Sequence, residues 1–323
     1  MARARKSDLL LLALNQFIWG TGWSAIKYPQ DQMGPVTLNL WTLGISVLVL
    51  LPFAGKELFR KTEVAAETAR PLTLRDYVDY FVMGVIGLTG MTLLYAWGAR
   101  QSLAENGALI SMSVPILTAV IAVIVLSEKM TRSRVLSLGM TLLGVLIISD
   151  VRWGQLQFFD GYLFGNLLLL TGALCNAIYV VYSKRLLSVA SPLMLLFWAQ
   201  LLGFLSTMPF IFVERLDIQA IVHYRWQTWL ALLFLGCVYF AITMIIFYRI
   251  LVRLDASQIM VSNYLQPFFG ILMAAMLLGE KITVSMIIGG SLVVLGTILA
   301  TLEEFWHPSA TTHDNLVAES QQE

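Results

Sequence analysis

Polar and aromatic side chains recur at helical spacing within two apolar segments of the chain. In the first segment Asn15, Trp19, Trp23 and Lys27 recur every four residues, so they share one face of a helix. The equivalent stripe in a later segment contains Gly172, Asn176, Tyr179 and Ser183. Polar groups in such segments are costly unless they face the protein interior or a wet cavity. The stripes predict the wall of a polar pathway, although tryptophan packing and a helix-to-helix bond from Asn176 explain them equally well.

Two prolines lie deep within other apolar segments and have polar neighbours. Pro115 and Pro267 each remove a backbone hydrogen bond, so each is expected to kink its helix, either as a hinge or as a fixed bend. The polar side chains near them are Ser111, Ser113, Asn263, Tyr264 and Gln266. These side chains fall at corresponding depths, and the polar group around Asn263 is the leading candidate for substrate contact.

Aromatic and sulfur-containing side chains are candidates for lining the same region. Tyr95 and Tyr239, together with Met91, Met244 and Met273, would give an adaptable cavity for amphipathic molecules. Packing in the core or against lipid is the simpler explanation for any single methionine. The two tyrosines are therefore the members of this set that we assign to the pathway.

Charged residues near the predicted helix ends each allow two interpretations. Lys27 is expected to extend its ammonium group into the lipid headgroup region. Its alternative role is to draw anionic groups toward the outer mouth of the pathway. Glu128-Lys129 and Glu280-Lys281 follow two apolar segments. We expect these glutamates to close short turns as solvated capping or pairing groups, and proton coupling through them is the less favoured alternative.

The sequence contains no arrangement typical of an enzyme. His223, His307 and His313 lie in a predicted loop or in the tail, and no Gly-rich phosphate loop is present. Cys175 and Cys237 fall within apolar segments without metal-ligand spacing. A net charge of +1 gives no indication of a nucleic-acid partner. We therefore predict no catalytic residues, no cofactor and no metal.

The elements that must position these residues are membrane-spanning helices. Of the 323 residues, 58% are hydrophobic and only 13% are charged, and the mean hydropathy is +0.76. The apolar runs approach the roughly 20 residues that span a bilayer as a helix. An all-α integral membrane protein with ten transmembrane helices is predicted. The helices are expected at 8-28, 36-54, 77-98, 104-126, 133-149, 161-183, 193-213, 228-250, 256-278 and 283-302.

The distribution of Lys and Arg predicts the topology. With a cytoplasmic N-terminus, most of the 21 Lys and Arg residues fall on the cytoplasmic side, as the positive-inside bias requires. The first helix is expected to remain uncleaved, because no small-residue cleavage site precedes Trp19. Residues 1-7 are predicted to be a cytoplasmic tail. Residues 303-323 are polar and acidic, and we expect a disordered cytoplasmic tail there.

An internal repeat is the strongest signal in the sequence. Pro115, Glu128-Lys129 and Gly144 recur after 152 residues as Pro267, Glu280-Lys281 and Gly296. Earlier positions such as Trp19 and Lys27 match Asn176 and Lys184 at an offset of 157 residues, so the five-residue difference falls in the third helix or its loops. The repeats are expected at 8-149 and 161-302, joined by an extracytoplasmic linker at 150-160. Five helices per repeat reverse the orientation of the second copy, and inverted repeats are typical of alternating-access carriers.

Ile18-Trp19-Gly20 through Ala25-Ile26-Lys27, together with the two segments from Pro115 to Glu128-Lys129 and from Pro267 to Glu280-Lys281, resemble EamA domains. Two such domains in tandem over about residues 8–302 resemble the ten-helix bacterial members of the drug/metabolite transporter superfamily. The resemblance implies a multi-pass carrier of the bacterial cytoplasmic membrane. It commonly implies export of amino acids, related metabolites or toxic compounds. It does not define the substrate.

The sequence thus predicts a transporter of small metabolites that works by alternating access. The expected partners are a small-molecule substrate and membrane lipids. Efflux of drugs and toxic compounds is the alternative within the same class, and a non-transporting membrane receptor or scaffold is the alternative from another class. The sequence leaves proton coupling, exchange and the oligomeric state open.

Overall fold

The computed structural model describes residues 6–30, 32–64, 72–102, 104–148, 162–214, 223–266, 269 and 284–306. Within these ranges the chain forms helices and turns, without a β-strand. The helices are α1 Lys6–Gln30, α2 Pro35–Val64, α3 Leu74–Arg100, α4 Ala104–Ser111, α5 Val114–Leu126, α6 Arg132–Ile148, α7 Leu163–Leu186, α8 Pro192–Glu214, α9 Trp226–Leu251, α10 Ala256–Val261 and α11 Val284–Trp306.

Five of these helices, α2, α3, α7, α8 and α9, are long and apolar enough to cross a membrane. Shorter apolar stretches lie in α1, α5 and α11, and together with the long helices they confirm the predicted all-α membrane fold. Large apolar side chains such as Leu10, Phe164 and Phe212 are exposed on the outside of the bundle. An apolar exterior of this kind is suited to contact with lipid tails.

The predicted fourth helix is not continuous. It is interrupted after Ser111, and the second segment, α5, places Pro115 in its first turn. At the interruption the Ser113 amide and hydroxyl both donate to the Ile110 carbonyl, at 3.0 and 2.6 Å. Proline is favourable in the first turn of a helix because its missing N–H has no intrahelical acceptor there. Pro115 therefore begins a helix rather than lying in the middle of one.

The third and eighth predicted helices share a local widening. α3 is π-helical over Val82–Thr89, and α9 is π-helical over Phe234–Ile242. A Cβ added to Gly84 would lie 2.6 Å from Leu202 Cβ, and one added to Gly236 would lie 2.5 Å from Ile45 Cγ2. The glycines differ by 152 residues and their partners by 157. The two contacts are thus copies of one another, and the change of offset falls between Ile45 and Gly84.

Two groups of packed helices, which we call walls, form the centre of the bundle, and each group contains helices of both repeats. In one wall α1 packs along α9 and the turn after α10, and in the other α7 packs along α3, α4 and α5. Helices α2 and α8 lie between the walls and pack on each other and on the π-helical segments of α9 and α3, respectively. Each wall therefore takes one helix from one repeat and the rest from the other repeat.

The pair α6 and α11 packs closely at equivalent positions. A Cβ on Gly144 would lie 2.6 Å from the Gly289 carbonyl oxygen, and a Cβ on Gly296 would lie 3.1 Å from the Ser137 carbonyl oxygen. Gly144 and Gly296 differ by 152 residues, as do Ser137 and Gly289. The repeat detected in the sequence is therefore also a symmetry of the contacts between these helices.

This packing gives a direct test of the helix pair. Gly144→Ala is expected to lower the free energy of unfolding by about 1–3 kcal/mol, because the new methyl group meets backbone that cannot rotate away. The matched control is Gly139→Ala on the same helix, where an added Cβ meets nothing within 4 Å. Thermal unfolding of the purified protein in detergent should separate the variants. Equal melting temperatures for the two variants would contradict the close contact.

Candidate functional site

A cluster of amides and a hydroxyl connects α1 to the turn that follows α10. Gln16 is fully buried, and its Nε2 donates to Ser262 Oγ at 2.7 Å and to Asn263 Oδ1 at 3.0 Å. Its Oε1 accepts a hydrogen bond from Gln266 Nε2 at 2.8 Å. We call Gln16, Ser262, Asn263 and Gln266 the amide cluster. Asn263 and Gln266 were predicted from the sequence, whereas Gln16 was missed because it lies beside the four-residue stripe.

The local backbone explains why these groups meet. After Val261 the chain tightens into a 3₁₀ turn over Ser262–Tyr264, and the Ser262 hydroxyl donates to the Ile259 carbonyl at 2.6 Å. Helix α1 crosses this turn closely, since a Cβ on Gly20 would lie only 2.6 Å from the Gln266 carbonyl oxygen. Only glycine permits this approach, and the approach brings the Gln16 side chain within reach of the turn.

The predicted site residue Tyr264 has a different role from Asn263. Its hydroxyl donates to the Met112 carbonyl oxygen at 2.7 Å, at the interruption between α4 and α5. Positions 112 and 264 are separated by the repeat offset of 152 residues, so the interrupted helices of the two repeats meet there. Tyr264 thus satisfies a carbonyl group that the break in the helix would otherwise leave unpaired.

Aromatic side chains continue the α1 face beyond the amide cluster. Trp19 Nε1 donates to Thr243 Oγ1 at 2.8 Å, and the Thr243 hydroxyl donates to the Tyr239 carbonyl. The Trp19 ring lies 5.5 Å from the Phe247 ring and 6.2 Å from the Tyr239 ring, measured between centroids. The structure therefore brings the predicted residues Trp19 and Tyr239 together.

The second wall contains a related pair and a chain of hydroxyl groups. Asn176 is hydrogen-bonded to the Tyr95 hydroxyl, and this pair corresponds through the repeat to Trp19 and Phe247. Farther along α7, the Tyr248 hydroxyl of α9 donates to the Tyr179 hydroxyl at 2.8 Å. The same Tyr248 hydroxyl is hydrogen-bonded to Ser183 Oγ at 2.8 Å. The hydroxyl chain joins the two walls.

The remaining predicted residues have different environments. Asn15 is 1% exposed, and within the described part of the chain neither its amide nitrogen nor its amide oxygen has a hydrogen-bond partner. Ser111 is exposed at the end of α4. The side chains of Trp23 and Lys27, and residue Pro267, lie outside the described residues.

Ionic groups collect at the end of the bundle where α1 begins, which we call the amino-terminal end. Arg253 Nη1 lies 2.5 Å from Asp8 Oδ1, and Arg185 Nε lies 3.1 Å from Asp79 Oδ2. Lys184 Nζ donates to the carbonyl oxygens of Leu251 and Leu254 at 2.6 and 2.7 Å. A cation in this position stabilises the last carbonyl groups of α9.

Glu128, at the same end, corrects an expectation from the sequence. It was expected to be a solvated helix-end group, yet its side chain is only 5% exposed. Burial raises the pKa of the Glu128 carboxyl and the Asp255 carboxylate raises it further, while hydrogen bonds from Ser257 and Ala256 lower it. The expectation that Glu128 caps or pairs with nearby groups is confirmed.

A helical bundle of two repeats, with polar groups buried between apolar walls, has the architecture of a membrane transporter. The sequence matches the EamA-like transporter family over residues 6–150 and 163–302. The chain belongs to this family and is therefore a multi-pass membrane transporter.

The similarity to known proteins covers most of the chain. An uncharacterized transporter of Archaeoglobus fulgidus is 24% identical over 293 residues, which cover 89% of this chain and 96% of the relative. A probable terminal-alkyne amino-acid exporter of Streptantibioticus cattleyicolor is 23% identical and covers 89% of this chain and 91% of its own length. The uncharacterized transporter YyaM of Bacillus subtilis is 28% identical over 201 residues, which cover 61% of this chain and 62% of YyaM.

A solved crystal structure shares the fold. It superposes with a TM-score of 0.74 at 20% sequence identity, covering 95% of this chain and 100% of the other. The family and these relatives are transporters rather than enzymes, in agreement with the absence of an enzymatic pattern in the sequence.

Proposed function

We propose that the protein exports small amphipathic metabolites, with amino acids as the leading class, across the bacterial cytoplasmic membrane by alternating access. Both termini would be cytoplasmic, as the distribution of Lys and Arg predicts. The export direction is supported by the probable amino-acid exporter among the relatives. The two repeats would span 8–149 and 161–302, joined by an extracytoplasmic linker at 150–160.

The amide cluster carries this proposal. Its groups bear no formal charge and offer both donors and acceptors, which suits a ligand that has both kinds of group. Gln16 engages the oxygen of Asn263, while among the described residues the Asn263 nitrogen makes only a long contact of 3.7 Å with Met260 Sδ. That nitrogen is therefore free to donate to a carboxylate or carbonyl oxygen of the substrate.

Efflux of drugs and toxic compounds is supported by a separate observation. Trp19, Tyr239 and Phe247 form a continuous aromatic surface, and Met244 packs in the same core. Aromatic and thioether side chains adapt to ligands of varied shape. On this alternative the aromatic surface, rather than the amide cluster, provides most of the binding energy.

Transport into proteoliposomes tests the proposal. The protein is reconstituted and supplied with labelled amino acids, aromatic metabolites, sugars and cationic drugs, and initial rates are measured for wild type and Asn263→Ala. We expect saturable transport of an amino acid or related metabolite. Asn263→Ala should reduce kcat/KM at least about tenfold, because it removes a donor from a desolvated contact.

The matched control is Gln101→Ala, which removes an amide that is exposed at the end of α3. This control should transport at the wild-type rate. Transport of cationic drugs alone, unaffected by Asn263→Ala, would favour the aromatic surface. Absence of transport of every compound by folded protein would contradict the proposal and favour a receptor or scaffold.

A further inference from the structure

Glu128 connects the two walls at the amino-terminal end. It follows α5 in one wall, and its carboxylate accepts hydrogen bonds from the first residues of α10, the short helix that leads into the turn of the other wall. The donors are the Ala256 amide at 2.7 Å, the Ser257 amide at 3.2 Å and the Ser257 hydroxyl at 2.5 Å. Bonds from backbone N–H groups to a carboxylate are among the stronger hydrogen bonds in proteins.

Arg134 completes the same connection. Its Nη2 lies 2.5 Å from Asp255 Oδ2, and its Nη1 lies 3.9 Å from Glu128 Oε2. Nη1 also donates to the Lys129 carbonyl at 3.0 Å. The Asp255 amide in turn donates to Gln258 Oε1 at 3.0 Å, which fixes the start of α10. We call Glu128, Arg134, Asp255 and Ser257 the latch.

The latch acts on the element that carries the amide cluster. α10 contains six residues, Ala256–Val261, and the next two residues are Ser262 and Asn263 of the cluster. One end of this short helix is held by Glu128, and the other end is held by Gln16. Opening of the walls at the amino-terminal end must therefore break the bonds of Glu128 or displace the cluster.

The sequence gives the opposite end no equivalent of the latch. Through the repeat offset of 152 residues, Ser257 corresponds to Glu105, Asp255 to Leu103 and Glu128 to Glu280. Arg134 corresponds to Met286 in the same way. A Glu–Ser bond and an Arg–Asp pair are thus replaced by two glutamates and two apolar residues. Two carboxylates at equivalent positions would repel each other rather than bond.

The hydroxyl chain shows the same difference between the ends. Tyr179 corresponds to Gly22 and Ser183 to Ile26 at the offset of 157 residues, and Tyr248 corresponds to Ala96 at the offset of 152. The residue types at those positions cannot form a chain of hydroxyl bonds. Both sets of bonds that join the walls at the amino-terminal end are therefore specific to that end.

We propose that the latch is a gate that keeps the unloaded carrier closed at its amino-terminal end, and that its release exposes the amide cluster to that side. The inference rests on the proposed alternating-access function. The energetic difference between the two ends follows from the bonds of the latch, because the residue types at the equivalent positions of the opposite end, Leu103, Glu105, Glu280 and Met286, cannot form them. Substrate that reaches the cluster from the opposite end would then find the amino-terminal end closed.

Accessibility of a single cysteine tests this gate. Ile259 is fully buried on α10, two residues after Ser257 of the latch. Ile259→Cys is introduced into a chain in which Cys175 and Cys237 are replaced by alanine, and a membrane-impermeant maleimide is added to vesicles of each orientation without substrate. Glu128→Gln and Ser257→Glu should each raise the labelling rate from the amino-terminal side at least about fivefold, because each removes charge-assisted bonds of the closed state.

The matched control is Glu214→Gln at the opposite end of the bundle. Glu214 also accepts hydrogen bonds from two amides at a helix start, those of Val36 and Thr37 at 2.6 and 3.0 Å. Its replacement should leave labelling from the amino-terminal side at the wild-type rate. Unchanged labelling in both latch variants, or an equal increase with Glu214→Gln, would overturn the gate.

The measurement is independent of substrate identity. Faster labelling in the latch variants, together with absence of transport in the proteoliposome panel, would support the gate and contradict the proposed substrates. Normal transport of the proposed substrates together with unchanged labelling would support the proposed function and contradict the gate. Melting temperatures within a few degrees of the parent chain are required for each variant, so that labelling reports opening rather than unfolding.

Discussion

Arg134→Ala is expected to destabilise the folded protein by about 3–5 kcal/mol, the largest stability change that we predict. The Arg134 side chain is 5% exposed and lies between the carboxylates of Asp255 and Glu128, whose side chains are 10% and 5% exposed. Its removal takes away the cation that lies between these two buried carboxylates. Thermal unfolding in detergent, followed by tryptophan fluorescence, measures the change.

The control for this prediction is Arg225→Ala, which removes an arginine that is exposed at the start of α9. It should unfold at the wild-type temperature. Adding Asp255→Asn to Arg134→Ala should recover part of the loss, because the double variant no longer buries the second charge. A melting temperature for Arg134→Ala equal to that of Arg225→Ala would show that the buried cation contributes nothing to the fold.

Asn15→Leu is expected to give a protein that is more stable but transports poorly. A buried amide without hydrogen bonds costs about 1–3 kcal/mol, and an apolar side chain of similar size removes that cost. If the amide is retained for contact with the substrate, transport should fall at least about tenfold while the melting temperature rises. Both quantities are measured on the same reconstituted preparation.

Asn39→Leu provides the contrast, because Asn39 is also buried but its amide is paired. Its Nδ2 donates to Thr207 Oγ1 at 3.0 Å. We expect this substitution to lower the melting temperature, since it removes a bond that the fold uses. An Asn15→Leu protein that is more stable and transports normally would show that Asn15 is a packing residue with no part in the pathway.

Most of the fold was predictable because lipid imposes simple rules on the chain. Apolar runs of sufficient length must be helices, and the spacing from Pro115 to Glu128 recurs from Pro267 to Glu280. The interruption before Pro115 was not predicted. A kink at Pro115 was predicted, but residues 110–117 are mostly apolar, and only the bonds that Ser113 makes to Ile110 show that the helix stops there.

The site was predictable in part. Asn263 and Gln266 stood out as polar residues in an apolar segment. Trp19 lies in a stripe at helical spacing, and Tyr239 was predicted as an aromatic residue of an adaptable cavity. Gln16 could have been found by the same polarity signal, but its partners are 246 to 250 positions away, and only the crossing of α1 over the turn after α10 brings them together. The burial of Glu128 depends on an equally distant partner, so helix-end position alone gave the wrong environment.

Each wall combines helices of both repeats, and this arrangement has a consequence for biosynthesis. α1 leaves the ribosome and enters the membrane first, yet Gln16 bonds to Ser262, 246 residues later in the chain. Until that segment has been inserted, the Gln16 amide lacks the partners that it has in the described part of the folded chain, Ser262, Asn263 and Gln266. The first wall therefore cannot be completed during synthesis of the first repeat, and the two repeats must assemble together rather than fold one after the other.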